Sequence, residues 1–197
     1  MIRPLTLQES KSSAHLHASG MPEDFLSSFG EQFLIKLHAG LIGSSSTIAL
    51  GEFRNRKLVG IIIATSHTKR LMRQIVLTIG HQLMLAVCRK LIQQPKMIGY
   101  LWQTLFYGGN LPEISAEILV LSIAATHRHL GLGTKLMSAL KKEFARQGIV
   151  EFKVSTRATN PAANNFYQKV GGVYYNQFWI YDRIWKTYRY YLSNKLR

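Results

Sequence analysis

The sequence predicts an α/β (α+β) fold: a central mixed β-sheet flanked by helices, with a helical insert. Two observations carry this expectation. Residues 116–156 run strand, helix, strand, an order that a right-handed crossover closes into a parallel pair. The stretch "TIALGEFRNRKLVGIIIATS" reads as two strands around a polar turn, and the aromatic, β-branched end of the chain as two more, which adds antiparallel pairs. At 197 residues, 47% hydrophobic and 18% charged, the chain suits one domain spanning 1–197 with a sizeable core.

The elements follow in order. Residues 6–18 and 24–41 read as helices joined at Met21-Pro22, the second supported by Phe25, Phe29, Phe33 and Leu37 at four-residue steps. The hairpin over 47–66 turns at Arg54 to Lys57. Residues 69–107 form the insert, two helices separated at Pro95, because proline disfavours helical continuation. On a helical wheel Met72, Ile75, Val76, Ile79, Leu83, Ala86 and Val87 make one apolar arc, and Leu77, Met84, Leu85 and Cys88 interrupt the polar side. "AEILVLSIAAT", residues 116–126, is an apolar run of strand length. A helix follows from about Gly131 to Gln147, with Leu136, Leu140 and Phe144 at i, i+4, i+8, and then the strand "VEFKVST". "NPAANNFYQKVG" reads as a helix with Asn160 as N-cap, Pro161 at its first position and Gly171 at its end. The remainder is two strands turning near Asp182.

Twenty-five Lys and Arg against ten Asp and Glu give a net charge of +15, a field that attracts nucleic acid, a phosphorylated cofactor or an anionic membrane. The only cysteine, Cys88, rules out an internal disulfide framework, and with "MIRPLTLQES" at the start a reducing cytoplasm is the expected setting. "IVLTIGHQLMLAVC" is too short to span a bilayer unaided. The seven histidines show no metal-ligand spacing, and no metal is expected.

The chemistry concentrates after the strand at 116–126. "HRHLGLGTKLM" bends through two glycines and starts a helix, so the backbone N–H groups from His129 through Thr134 are left unpaired where the helix dipole adds positive charge. Gly131 and Gly133 let a bulky anion approach that backbone without a Cβ clash. The outline is a cradle for a pyrophosphate at a helix N-terminus.

With its position between strand and helix, Arg128-x-x-Gly131-x-Gly133 resembles the acetyl-CoA signature of the GNAT superfamily of N-acetyltransferases. "TRATNPAANNFYQKVGG" resembles that family's second motif, an Asn followed seven residues later by Tyr and then by a helix-ending glycine. The resemblance is strongest over residues 115–175, an acetyl-CoA-binding core, and fades over 1–45 and the insert. It implies a sheet splayed in its middle by a bulge, with the pantetheine arm pairing with strand backbone near Ile123 and Ala125. It places the pyrophosphate on amides of His129, Leu130, Gly131, Leu132, Gly133 and Thr134 beside Arg128, and Asn160 near the pantetheine. Tyr167 matches the tyrosine that protonates the leaving thiolate. In the histone acetyltransferase branch the general-base glutamate stands eleven residues before the signature's first residue, a position that Glu117 occupies here. Strand alternation groups Glu117 with Leu119, Leu121 and Ile123, which predicts apolar neighbours and a raised pKa. The ribosomal-protein branch carries its glutamate in the next strand, where this chain has Ser155.

The expected activity is therefore transfer of an acetyl group from the cosubstrate acetyl-CoA to a primary amine of a small molecule, with an amino sugar of glycan or polysaccharide biosynthesis favoured. A protein or peptide amine is the alternative within the enzyme class. A non-catalytic nucleic-acid-binding module, suggested by aromatic and basic residues in the tail, is the alternative outside it, and the cradle argues against it. The second apolar side of the insert predicts a homodimer contact or a peripheral contact with the inner face of the membrane.

Overall fold

The computed structural model describes residues 1–106 and 114–192. Its seven strands are β1 (Ile2–Pro4), β2 (Thr47–Arg54), β3 (Lys57–Thr65), β4 (Glu117–Ile123), β5 (Glu151–Arg157), β6 (Val173–Ile180) and β7 (Arg183–Tyr191). They form one sheet in the order β1-β2-β3-β4-β5-β7-β6, in which only the β4–β5 pair is parallel. Among the described residues the α-helices are α1 (Ser10–Gly20), α2 (Glu31–Gly43), α3 (Thr68–Gln93), α4 (Met97–Phe106), α5 (Leu132–Arg146) and α6 (Pro161–Lys169).

Two apolar layers sandwich the sheet, because β3 is hydrophobic on both faces: Ile61, Ile62, Ile63 and Ala64 are all fully buried. On one face Leu136, Leu140 and Phe144 of α5 pack with Ile62, Ile118, Phe152 and Val154, so the four-residue spacing read from the sequence is the buried stripe of the crossover helix. On the other face Leu34 and Leu37 of α2 and Leu71, Ile75 and Leu83 of α3 cover Ile61, Ile63 and Val120. The insert is two helices broken around Pro95, as the proline predicts, although its expected last residue, 107, lies outside the described residues. α3 bends by 63° around residue 85. Its inner stripe packs on the core, but Val76, expected on that arc, is exposed along with Leu77 and Met84.

Several elements differ from expectation. The helix expected over 24–41 begins only at Glu31, because Gly30 adopts φ +92° and Leu26–Phe29 form a 3-10 turn. Phe25 there stacks on Tyr181 with ring centroids 4.8 Å apart, and Phe29 on Phe33 at 4.7 Å, so aromatic packing rather than helical period sets the spacing. The helix expected from residue 6 starts at Ser10 after a short 3-10 turn. β1, absent from the sequence expectation, is three residues long and exists by pairing with β2.

The strand expected over 116–126 ends at Ile123, and it carries the feature that positions the site. Ile63 pairs with Val120 and Ala64 with Ile118, so Leu119 is an extra residue in β4, a β-bulge. The bulge breaks the expected alternation. Ile118, Leu121 and Ile123 pack toward α5, whereas Val120 belongs to the α2–α3 layer and Ser122 donates to the Leu16 carbonyl of α1 at 2.7 Å. β4 and β5 pair only at Glu117↔Lys153 and Ile118↔Val154. Beyond the bulge they part, and the sheet is splayed in its middle.

Candidate active site

The cradle forms where the glycine pattern places it. After a 3-10 turn over Ala125–His127 the chain takes φ +63° at His129 and φ +72° at Gly131, both left-handed, and enters α5 at Leu132. The first amide bonded into the helix is that of Lys135, to the Gly131 carbonyl at 3.1 Å. None of the six amides from His129 to Thr134 has an acceptor among the described residues, so all are open to an anion. Leu132 is buried and anchors the turn, while Leu130 and Thr134 are exposed beside it. The two glycines do different work. Gly131 is needed for its left-handed backbone, with no atom within 4 Å of where a Cβ would sit, whereas a Cβ at Gly133 would meet the Phe166 ring at 3.1 Å. Gly133 thus admits the α6 ring rather than the ligand.

The open edge of β4 beyond the bulge leaves strand backbone for an extended ligand to pair with. Ile123 lies on this segment, and its carbonyl accepts Arg128 Nε at 3.3 Å. Ala125 does not. It sits in the 3-10 turn with its carbonyl bonded to the Arg128 amide, because the strand stops two residues short of it. Asn160 caps α6, accepting the Ala163 amide at 3.0 Å. Tyr167 is buried among Phe166 and Tyr188, its hydroxyl donates to no described residue, and burial raises its pKa, so it stays protonated through the neutral range.

Glu117 is 4% exposed, but its surroundings are not the apolar ones expected. The bulge turns it away from Leu121 and Ile123. Its Oε2 accepts Thr68 Oγ1 at 3.2 Å and lies 3.8 Å from Lys153 Nζ, an ion pair buried at the closed end of the splay. Ser155 bonds Thr187 across the next rung at 3.2 Å.

A cavity of about 370 Å³, unforeseen from the sequence, lies at the carboxyl end of β5. Arg157, four residues beyond Lys153, is on its wall, so Glu117 stands roughly 13 Å below it by strand rise and does not line it. Neither do the cradle residues or Tyr167. Asn160 lines a smaller adjoining cavity of about 320 Å³ that shares Glu23 and Arg157 with the first. In the larger cavity Arg157 and Arg183 converge on Glu23 Oε2 at 2.7 and 3.4 Å, which holds the Glu23 carboxyl below the usual range. Tyr100 of α4 donates to Asp182 at 2.5 Å. Trp185 lines the wall, and its buried indole N–H has no partner among the described residues. Tyr181 and Asp182 form the two-residue β6–β7 turn at φ +53° and +56°, strained values for these residues, and both face the cavity. The wall joins chain segments far apart in sequence, so no local motif announces it.

Comparison with known proteins agrees with this geometry. The sequence profile of the acetyltransferase (GNAT) family matches residues 50–172, while no curated protein matches the chain. Among solved structures, the ribosomal-protein-S18-alanine N-acetyltransferase from Escherichia coli superposes with a TM-score of 0.62 at 12% identity, covering 98% of this chain and 94% of that one. An aminoglycoside 6'-acetyltransferase type Ii gives 0.64 at 14% identity, covering 98% and 97%. The PaiA N-acetyltransferase from Thermoplasma acidophilum, solved with coenzyme A, gives 0.61 at 14% identity, covering 96% and 98%. At these identities the likeness shows the fold, and the profile match over more than half of the residues shows the family: the chain belongs to the acetyltransferase (GNAT) family, whose members transfer acetyl groups from acetyl-CoA.

Proposed function

We propose that the protein acetylates a primary amine of a small molecule, with a nucleotide- or lipid-linked amino sugar as the favoured acceptor. The observation that carries this is the cavity at the carboxyl end of β5: about 370 Å³ is the size of a small-molecule site, and its wall sets Glu23, Asp24 and Asp182 against Arg157 and Arg183 among aromatic rings, which suits a polar amine. The solved neighbours include both an aminoglycoside and a protein acetyltransferase, so the fold alone does not choose; the cavity, closed on one side by Met97 and Tyr100 of the insert, favours the small acceptor. Acetyl-CoA lies with its pyrophosphate on the amides of residues 129–134 and its pantetheine along β4. Glu117 receives the amine's proton through intervening water, and Tyr167 protonates the departing thiolate. The hydroxyl without a described partner supports the second role, and the first rests on the position of Glu117 in β4, eleven residues before Arg128.

The outer face of the insert docks on an anionic membrane surface in this account. Leu77 is 70% and Ile92 83% exposed, and residues 68–106 carry six Lys or Arg and no Asp or Glu. Thiol release from acetyl-CoA, measured with free and nucleotide-linked amino sugars against unmodified peptides, tests the acceptor. Turnover with the amino sugars is expected; turnover with peptides alone would overturn the assignment.

A further inference from the structure

Four side chains from α1, α2 and the segment between them form one hydrogen-bonded line that ends on the cavity wall. Ser13 Oγ lies 2.8 Å from His38 Nδ1, His38 Nε2 lies 2.9 Å from His17 Nδ1, and His17 Nε2 lies 3.4 Å from Asp24 Oδ2. Ser13, His38 and His17 are buried, and Asp24 lines the cavity. With Asp24 ionised and both rings neutral, a single proton arrangement satisfies every contact. A carboxylate only accepts, so His17 Nε2 carries hydrogen and its Nδ1 accepts; His38 Nε2 then donates, and its Nδ1 accepts from the Ser13 hydroxyl. Burial, joined by the neighbouring His17, pulls the His38 pKa down to about 3 and supports a neutral His38 ring.

Two imidazoles and a hydroxyl in the interface of two helices are costlier to bury than apolar side chains of the same shape, so packing of α1 on α2 does not call for them. What they do is deliver a fixed N–H to one carboxylate oxygen. The Leu26 amide donates to the same Oδ2 at 3.2 Å, which leaves Asp24 Oδ1 with no partner among the described residues. The other carboxylates of the wall are already engaged: Glu23 by two arginines and Asp182 by Tyr100. We propose that Asp24 is the carboxylate that binds the acceptor's protonated amine, and that His17 and His38 are positioning residues that hold its carboxylate fixed on the wall. The identification of the bound cation as the acceptor rests on the acetyltransferase function proposed above; the cation site itself rests on the geometry.

The test uses neither acetyl-CoA nor turnover. Two-bond ¹⁵N–¹H spectra of the histidine-labelled full chain should show His17 and His38 neutral with hydrogen on Nε2. Titration with butylammonium chloride should shift the His17 resonances saturably, while 1-butanol at the same concentrations leaves them in place. Asp24→Asn should weaken the ammonium response by about tenfold or more, the effect of losing one charge-assisted contact. His38→Phe, which fills the space without the hydrogen bonds, should weaken it several-fold when titrated well below its melting temperature, which the loss of partners for Ser13 and His17 should lower. No response to the ammonium, an equal response to the alcohol, or wild-type affinity in Asp24→Asn would overturn the site; wild-type affinity in His38→Phe would overturn the positioning role. An acetyl-CoA-induced melting shift, recorded on the same samples, reports separately on the acetyltransferase assignment.

Discussion

Glu117 and Lys153 form a buried ion pair, and the base role proposed for Glu117 can be separated by experiment from its structural one. Both side chains are almost fully buried, so removing one partner takes a counterion from a buried charge, a loss of roughly 3 kcal/mol. Replacing both at once removes that penalty. Glu117→Gln is therefore expected to lower both the melting temperature and turnover, the latter by about 10² to 10⁴, the range for loss of a general base. In the Glu117→Gln, Lys153→Met double variant the melting temperature should recover and turnover should not. Thermal melting and initial rates check this; recovery of both would make Glu117 a structural partner only. The sequence singled out Glu117 by position as a candidate base but misjudged its company, because which face a strand residue occupies depends on a bulge that only pairing with β3 creates.

At the scale of elements, α5 and α6 were legible because their cues are local: an apolar stripe at Leu136, Leu140 and Phe144, and the Asn160-Pro161 start. The break at Gly30 was not, since the spacing of Phe25 and Phe29 serves aromatic packing: Phe25 stacks on Tyr181, far along the chain, and Phe29 on Phe33. The insert was half legible. Its inner stripe packs on the core, and its outer residues Leu77, Met84 and Ile92 lack cover. Flotation with phosphatidylglycerol vesicles should carry the protein, with less at high salt, and phosphatidylcholine vesicles should not. Leu77→Gln with Met84→Gln should reduce the floated fraction. Failure to float, together with a dimer in sedimentation velocity that these changes dissociate, would assign the face to a second copy instead.

For the whole molecule, the buried histidine line predicts how stability varies with pH. His38 has an ordinary pKa of 6.5 in the unfolded chain and about 3 when folded, so below pH 6.5 the unfolded state binds a proton that the folded state refuses. Stability therefore falls as pH drops from 6.5 toward 3, by up to about 1.4 kcal/mol per unit from this group. Melting curves from pH 7 to 5 should show that decline, and His38→Phe should flatten it; an unchanged slope in the variant would move the effect to other groups.

The central claim is that acetyl-CoA is held by the open amides ahead of α5. Calorimetric titration of acetyl-CoA into the wild type and Gly131→Val measures it most directly. Valine cannot take φ +72° without strain, yet its Cβ would meet no atom within 4 Å, so the change should close the cradle while leaving the core packed. Saturable binding by the wild type and none by the variant, with the variant's melting temperature preserved to within a few degrees, is the expected result. Equal binding by both proteins would contradict it.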